Sequence, residues 1–200
     1  MDSVMMSVNF LAPWDKIKSD LSHPNSLTLY RIAAVPGIVI LLYFPNRFCL
    51  ALAALLFSAA AITDYLDGYY ARQLGLESDF GKVMDPIADK LLVSCSLIML
   101  TSHGWIPAWV VCVIVGREFA VSGLRNIVSE KGKDISASWL GKYKTGFQIS
   151  AIIPLLFHYP YFGVDVHAIG MVFLWLSLVM TIWSGADYFM RFRGLLRTHH

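Results

Sequence analysis

Apolar residues run along this chain in long blocks rather than in alternation. They fall at about 27–44, 48–72, 82–102, 105–127, 138–159 and 165–191, each close to the roughly 20 residues that cross a bilayer as a helix. Short breaks bearing polar residues, Pro or Gly separate them, among them "FPNR", "TSHGW" and "HYPYFGVD". The pattern predicts six transmembrane helices in an all-α polytopic membrane protein. The blocks are too long for membrane β-strands and do not alternate, which counts against them. No internal repeat or linker divides the chain.

Ahead of the first block, Phe10, Trp14, Ile17 and Leu21 recur at i, i+4, i+7 and i+11, the stripe of an amphipathic helix lying in the membrane interface. Asp15, Lys16, Lys18 and Asp20 interrupt any apolar core there, so the segment is not read as a signal peptide. The expected organisation is a juxtamembrane segment at 1–23, a membrane domain at 24–192 and a cytoplasmic tail at 193–200. Composition agrees: 56% of the 200 residues are hydrophobic and 15% charged, with mean hydropathy +0.58.

Charge adds an orientation. With the N-terminus inside, the outer connections carry only Arg47, while Lys16, Lys18, Arg72, Lys82, Lys131, Lys133, Lys142, Lys144, Arg191, Arg193 and Arg197 lie on inner segments. Both termini are therefore expected in the cytoplasm. A net charge of +2 does not point to nucleic acid. Cys49, Cys95 and Cys112 are scattered, with no C-x-x-C, and read as packing residues.

Against this background, "DYLDGYYARQLGLESDFGKVMDPIADK" at 64–90 is anomalous, since it sets Asp64, Asp67, Asp85 and Asp89 near the junction of two apolar blocks. If the second helix ends near Arg72 and the third begins near Lys82, the deepest acids lie about 10 to 12 Å inside at 1.5 Å per residue. Asp64, Asp67, Gly68 and Ala71 share one helix face, and Gly81, Asp85 and Asp89 share another. Antiparallel helices joined by a short loop let the four carboxylates meet. Four such groups cannot all stay ionised unaided, so protons or cations must accompany them. Hard oxygen donors with no nearby His or Cys select Mg2+ or Mn2+, and two ions sharing the acids would form the clamp used in phosphoryl-type displacement. Pro86 conflicts with helix at Asp85, which predicts that the third helix starts only just before it. The competing account is ion pairing of these acids, for instance Asp89 with Lys90.

Written out, the stretch is D-x2-D-G-x2-A-R-x8-G-x3-D-x3-D, and in it the chain resembles the CDP-alcohol phosphatidyltransferase family. The resemblance implies a six-helix membrane fold, usually a homodimer, that exchanges CMP on a CDP-lipid for an acceptor alcohol. It further implies that Asp64, Asp67 and Asp85 bind divalent metal, and that Asp89 contacts metal and acts as general base. Spacing alone does not choose Asp89 among the four.

The acceptor must be read elsewhere. "GREFAVSGLR" places Arg117 and Arg125 two turns apart, and "GKYKTG" adds Lys142 and Lys144 at the start of the fifth helix. These four form a candidate basic pocket for a phosphate dianion. Pairing of Arg117 with Glu118 is the alternative, although adjacent helical residues do not face each other; Glu118 is also free to reach Arg125 or another helix. Both segments, with "PNSLTLYR" at 24–31, resemble the corresponding stretches of bacterial phosphatidylglycerophosphate synthases, a resemblance running from Pro24 to about Lys144. It implies a bacterial inner membrane, CDP-diacylglycerol as donor and sn-glycerol 3-phosphate as acceptor.

The candidate CDP-lipid contacts are Asn25, Thr28, Gly68, Arg72, Ser78 and Gly81. Against them stand a capping role for Asn25 or Ser26, snorkelling of Arg72 and helix packing at the glycines. Rival readings are another acceptor (serine, inositol phosphate or phosphatidylglycerol) and, outside enzymes, an ion or proton transporter. Acids gathered at one surface and the lack of repeats count against a transporter.

Overall fold

The computed structural model describes residues 24–74, 79–130, 139–161 and 163–197, with side chains described for 29–63, 84–128, 141, 143–161 and 163–193. The expected amphipathic segment at 1–23 lies outside them. The described residues form six helices: α1 (Pro24–Tyr43), α2 (Arg47–Leu74), α3 (Asp79–Ser102), α4 (Ala108–Glu130), α5 (Trp139–Phe157) and α6 (Val166–Arg197). The only β feature among them is an isolated bridge between Tyr161 and Val164. The all-α class and each apolar block are thus borne out.

Helix ends follow local chemistry. Asn46 accepts the Cys49 N–H at 2.9 Å and caps α2, and Asp165 accepts the Ala168 N–H at 3.0 Å and caps α6. Gly104, at φ 72°, closes α3 in the left-handed conformation that glycine adopts without strain. Three boundaries differ from expectation. The third helix begins at Asp79, so Pro86 lies inside it and not in the first turn. Burial of Ala88, Leu92, Val93 and Leu97 beyond the proline holds the axis despite the lost hydrogen bond. α1 begins at Pro24, which puts Asn25 and Ser26 within its first turn instead of at its cap. α6 runs on to Arg197, through the start of the expected tail.

The helices pack around one core in which Leu42, Leu50, Phe57, Leu97, Ile114, Ile152 and Leu174 are almost wholly buried. α5 and α6 share the longest contact, α1 lies against both α2 and α3, and α4 rests on α6 and α3. A Cβ on Gly170 would stand 2.7 Å from Leu155 Cγ and 2.9 Å from its backbone nitrogen; α5 and α6 approach closely there because the residue is glycine.

Large apolar side chains also face outward, among them Phe48, Leu55, Trp109, Val172, Val179 and Trp183, as suits a surface that meets hydrocarbon. Among the described helices, the stretch Val166–Arg193 of α6 is long and apolar enough to cross a membrane by length and composition. Leu29–Tyr43 and Arg47–Thr63 are shorter apolar stretches, and α3 and α4 carry charges within their spans.

Candidate active site

The charged residues inside the bundle make cross-helix contacts. On α1, Arg31 is 1% exposed, and its Nη2 donates to Asp85 Oδ1 of α3 at 2.7 Å. Asp85 itself is half exposed, so the pair joins a buried guanidinium to a carboxylate that remains accessible. Asp85 is thus ion-paired, and its partner comes from a different helix. Asp89 lies one turn further along the same face of α3.

Asp89 lies within electrostatic reach of a second group. Lys144, on α5, is 4% exposed and donates to Glu118 Oε1 of α4. Arg117 Nη1 donates to the same oxygen at 3.3 Å, and its Nη2 donates to Ser184 Oγ of α6 at 3.0 Å. Contact between Arg117 and adjacent Glu118, expected to be geometrically poor, therefore forms. One carboxylate oxygen of Glu118 serves two cations, Arg117 and Lys144. Asp89 stands with Glu118 and Arg117 among the charges that act on the Lys144 ammonium. Lys90 has Glu118, Asp89 and Arg125 as its charged neighbours. The acids of α3 and the bases of α4 and α5 are thus parts of one charged region.

The sequence candidates divide accordingly. Arg117 and Lys144 come together around Glu118, beside Asp89. Arg125 is exposed on α4, with Lys90 as its neighbour. Asp64, Asp67, Gly68 and Arg72 belong to α2, Gly81 to α3, Asn25 and Thr28 to α1 and Lys142 to α5, but their side chains lie outside the described ones. Ser78 lies outside the described residues altogether. Sequence reasoning missed Arg31 and Ser184; Lys90, named there as a possible partner of Asp89, does have Asp89 among the charges that act on it. Arg31 carried a usable signal, since a base within an apolar block is costly unless paired; Ser184 carried none.

Among the described residues no three His, Cys, Asp or Glu side chains are grouped as a metal centre. The described part of the expected donor set, Asp85 and Asp89 one turn apart, is carboxylate only, which suits a hard divalent cation.

Residues 21–183 match the model of the CDP-alcohol phosphatidyltransferase family. This chain belongs to that family. The match covers the whole of the acidic motif and reaches far beyond Lys144, where the resemblance read from sequence stopped. CDP-diacylglycerol–glycerol-3-phosphate 3-phosphatidyltransferase of Bacillus subtilis (strain 168) is 41% identical over 187 residues, covering 88% of this chain and 97% of the relative. The protein of that name from Rickettsia prowazekii (strain Madrid E) is 40% identical over 174 residues, covering 86% and 96%. That from Salmonella typhimurium (strain LT2) is 35% identical over 175 residues, covering 86% and 94%. As a CDP-alcohol phosphatidyltransferase, the chain is a transferase whose family generally uses divalent metal.

Proposed function

We propose that this chain transfers the phosphatidyl group of CDP-diacylglycerol to sn-glycerol 3-phosphate, giving phosphatidylglycerophosphate and CMP. The names of the relatives point to this pair of substrates. The observation that carries it here is the Arg117–Glu118–Lys144 cluster, with Asp89 within electrostatic reach of its lysine. An acceptor with a hydroxyl at one end and a phosphate dianion at the other spans those two features. Serine and phosphatidylglycerol offer no small dianion for the bases.

In this reading Asp64, Asp67, Asp85 and Asp89 hold Mg2+ or Mn2+, two ions in all. When bound, divalent cations neutralise diphosphate charge and favour departure of CMP. Asp89 accepts the proton of the acceptor C1 hydroxyl as its oxygen bonds to the lipid-side phosphorus. The bond from that phosphorus to the bridging diphosphate oxygen breaks, and CMP departs with the electron pair. Arg117, Arg125, Lys142 and Lys144 hold the acceptor phosphate, the arginines through paired N–H donors and the lysines as point charges. Asn25, Thr28, Gly68, Arg72, Ser78 and Gly81 line the CDP-lipid side. Arg31 keeps the Asp85 carboxylate in place.

The same reading sets residues 24–192 as six crossings of a bacterial inner membrane, with residues 1–23 at the interface, both termini and the site on the cytoplasmic side, and a homodimer as the working unit. Acyl chains then stay in the bilayer while the diphosphate and the water-soluble acceptor meet at its surface. The test is CMP release by purified protein with CDP-diacylglycerol, Mg2+ or Mn2+, and each acceptor in turn. Release with glycerol 3-phosphate is expected; release with inositol phosphate in its place would overturn the substrate assignment.

A further inference from the structure

α6 carries a row of buried polar residues in an otherwise apolar helix: Ser177, Thr181, Ser184 and Tyr188, each less than a tenth exposed. Helical spacing puts them on one face. Ser184 is the member that reaches the charged region. Its hydroxyl donates to the Thr181 carbonyl at 3.2 Å. A hydroxyl has one proton, so this bond turns the oxygen lone pairs outward, and Ser184 Oγ accepts from Arg117 Nη2 at 3.0 Å. The next residue shapes the approach. A Cβ at Gly185 would lie 3.2 Å from Arg117 Cγ and 3.8 Å from its Nε, so the arginine stem rests on bare backbone.

The guanidinium is therefore held at both ends, by Glu118 at Nη1 and by Ser184 at Nη2. Of its five N–H donors, these contacts use two, and the Nε–H is buried with no hydrogen-bond partner among the described residues. The anchors fix the plane of the fork and leave donors over for an anion. Ser184 and Gly185 lie just past the residues that match the family, which end at 183.

We propose that Ser184 and Gly185 of α6 are positioning residues for the acceptor phosphate, acting by seating Arg117. The proposal rests on the acceptor pocket described above. Preorganised hydrogen-bond donors bind an anion without the cost of ordering a long side chain at each encounter. Removing the seat should therefore weaken acceptor binding while leaving the CDP-lipid side and the proton transfer at Asp89 intact.

The experiment compares full-length wild type with Ser184→Ala, Ser184→Thr, Gly185→Ala, Arg117→Ala and the Ser184→Ala/Arg117→Ala double variant, each reconstituted in lipid. It reads kcat and KM for both substrates. Ser184→Ala should raise KM for glycerol 3-phosphate about tenfold, the worth of a hydrogen bond to a charged group, and Gly185→Ala should raise it by displacing the Arg117 stem, each with kcat and KM for CDP-diacylglycerol within about twofold. Ser184→Thr, which keeps the hydroxyl, should restore most of the loss. With Arg117 already removed, Ser184→Ala should add nothing. A Ser184→Ala effect that persists without Arg117, or that falls equally on both substrates, would overturn the proposal, as would no effect at all. If Arg117→Ala itself leaves KM for glycerol 3-phosphate unchanged, the pocket reading fails and takes this one with it. If Arg117→Ala raises that KM while Ser184→Ala is silent, the seat alone is wrong.

Discussion

Arg31 shows what a single side chain contributes to this site. A guanidinium 1% exposed is tolerable inside an apolar bundle only when its charge is met, and Asp85 meets it at 2.7 Å. Arg31→Met keeps much of the apolar stem and removes the charge. The expected result is a loss of about 1–3 kcal/mol, discounted because Asp85 is half exposed, seen as a thermal midpoint lower by several degrees, together with strongly reduced turnover. Full activity in that variant would show that Arg31 does not support the aspartate. Asp89→Asn keeps the shape of the side chain but removes the base; turnover should vanish while binding of CDP-lipid remains measurable. At this scale the sequence was informative about acids and weak about their partners. The motif exposes Asp85 and Asp89 through spacing along one helix. The contacts of Arg31 and Ser184, by contrast, span 54 and 67 residues, separations that no local pattern reports.

At the scale of elements, the apolar blocks foretold the helices well, because lipid or core burial demands long unbroken runs. The errors lie where polar chemistry competes with periodicity. Pro86 reads as a helix start, yet α3 runs through it from Asp79, since packing of the residues beyond it outweighs one missing bond. The close contact of α5 with α6 depends on Gly170, and Gly170→Ala should cost about 1–3 kcal/mol by overpacking against Leu155. Thermal unfolding of the purified variant measures this, and an unchanged midpoint would mean that the helices separate freely. The link between α5 and α6 carries a pH dependence. His158, stacked on Trp105 at 3.8 Å, is held below its ordinary value of 6.5 by burial, then by His167 and more weakly His103, against the opposing pull of Asp165. Folding therefore favours the neutral ring. Its stabilisation is fully present above about pH 6.5 and is lost as pH falls through the lowered value. The thermal midpoint should drop on acidification through this range, and His158→Gln should flatten that part of the profile.

Over the whole molecule, α1, α3, α4, α5 and α6 each bring a charged or polar group to one region. In the proposed function the acidic motif would supply the chemistry there, and the basic residues the affinity for an anion. Sequence resolves these two halves separately, because each lies on one or two adjacent segments. Their adjacency is a property of packing, set where α3, α4 and α5 converge. Chelation should abolish CMP release, and Mg2+ or Mn2+ should restore it. The same ions should raise the thermal midpoint of the wild type and not of an Asp85→Asn/Asp89→Asn variant. The central claim is that the carboxylate site and the basic cluster act on one acceptor. Its most direct test is transfer of labelled sn-glycerol 3-phosphate into the lipid fraction, with CDP-diacylglycerol and divalent metal present. The account predicts label in phosphatidylglycerophosphate, matched by CMP released, and neither with Asp89→Asn. Label that stays in the aqueous phase with the wild-type protein would contradict it.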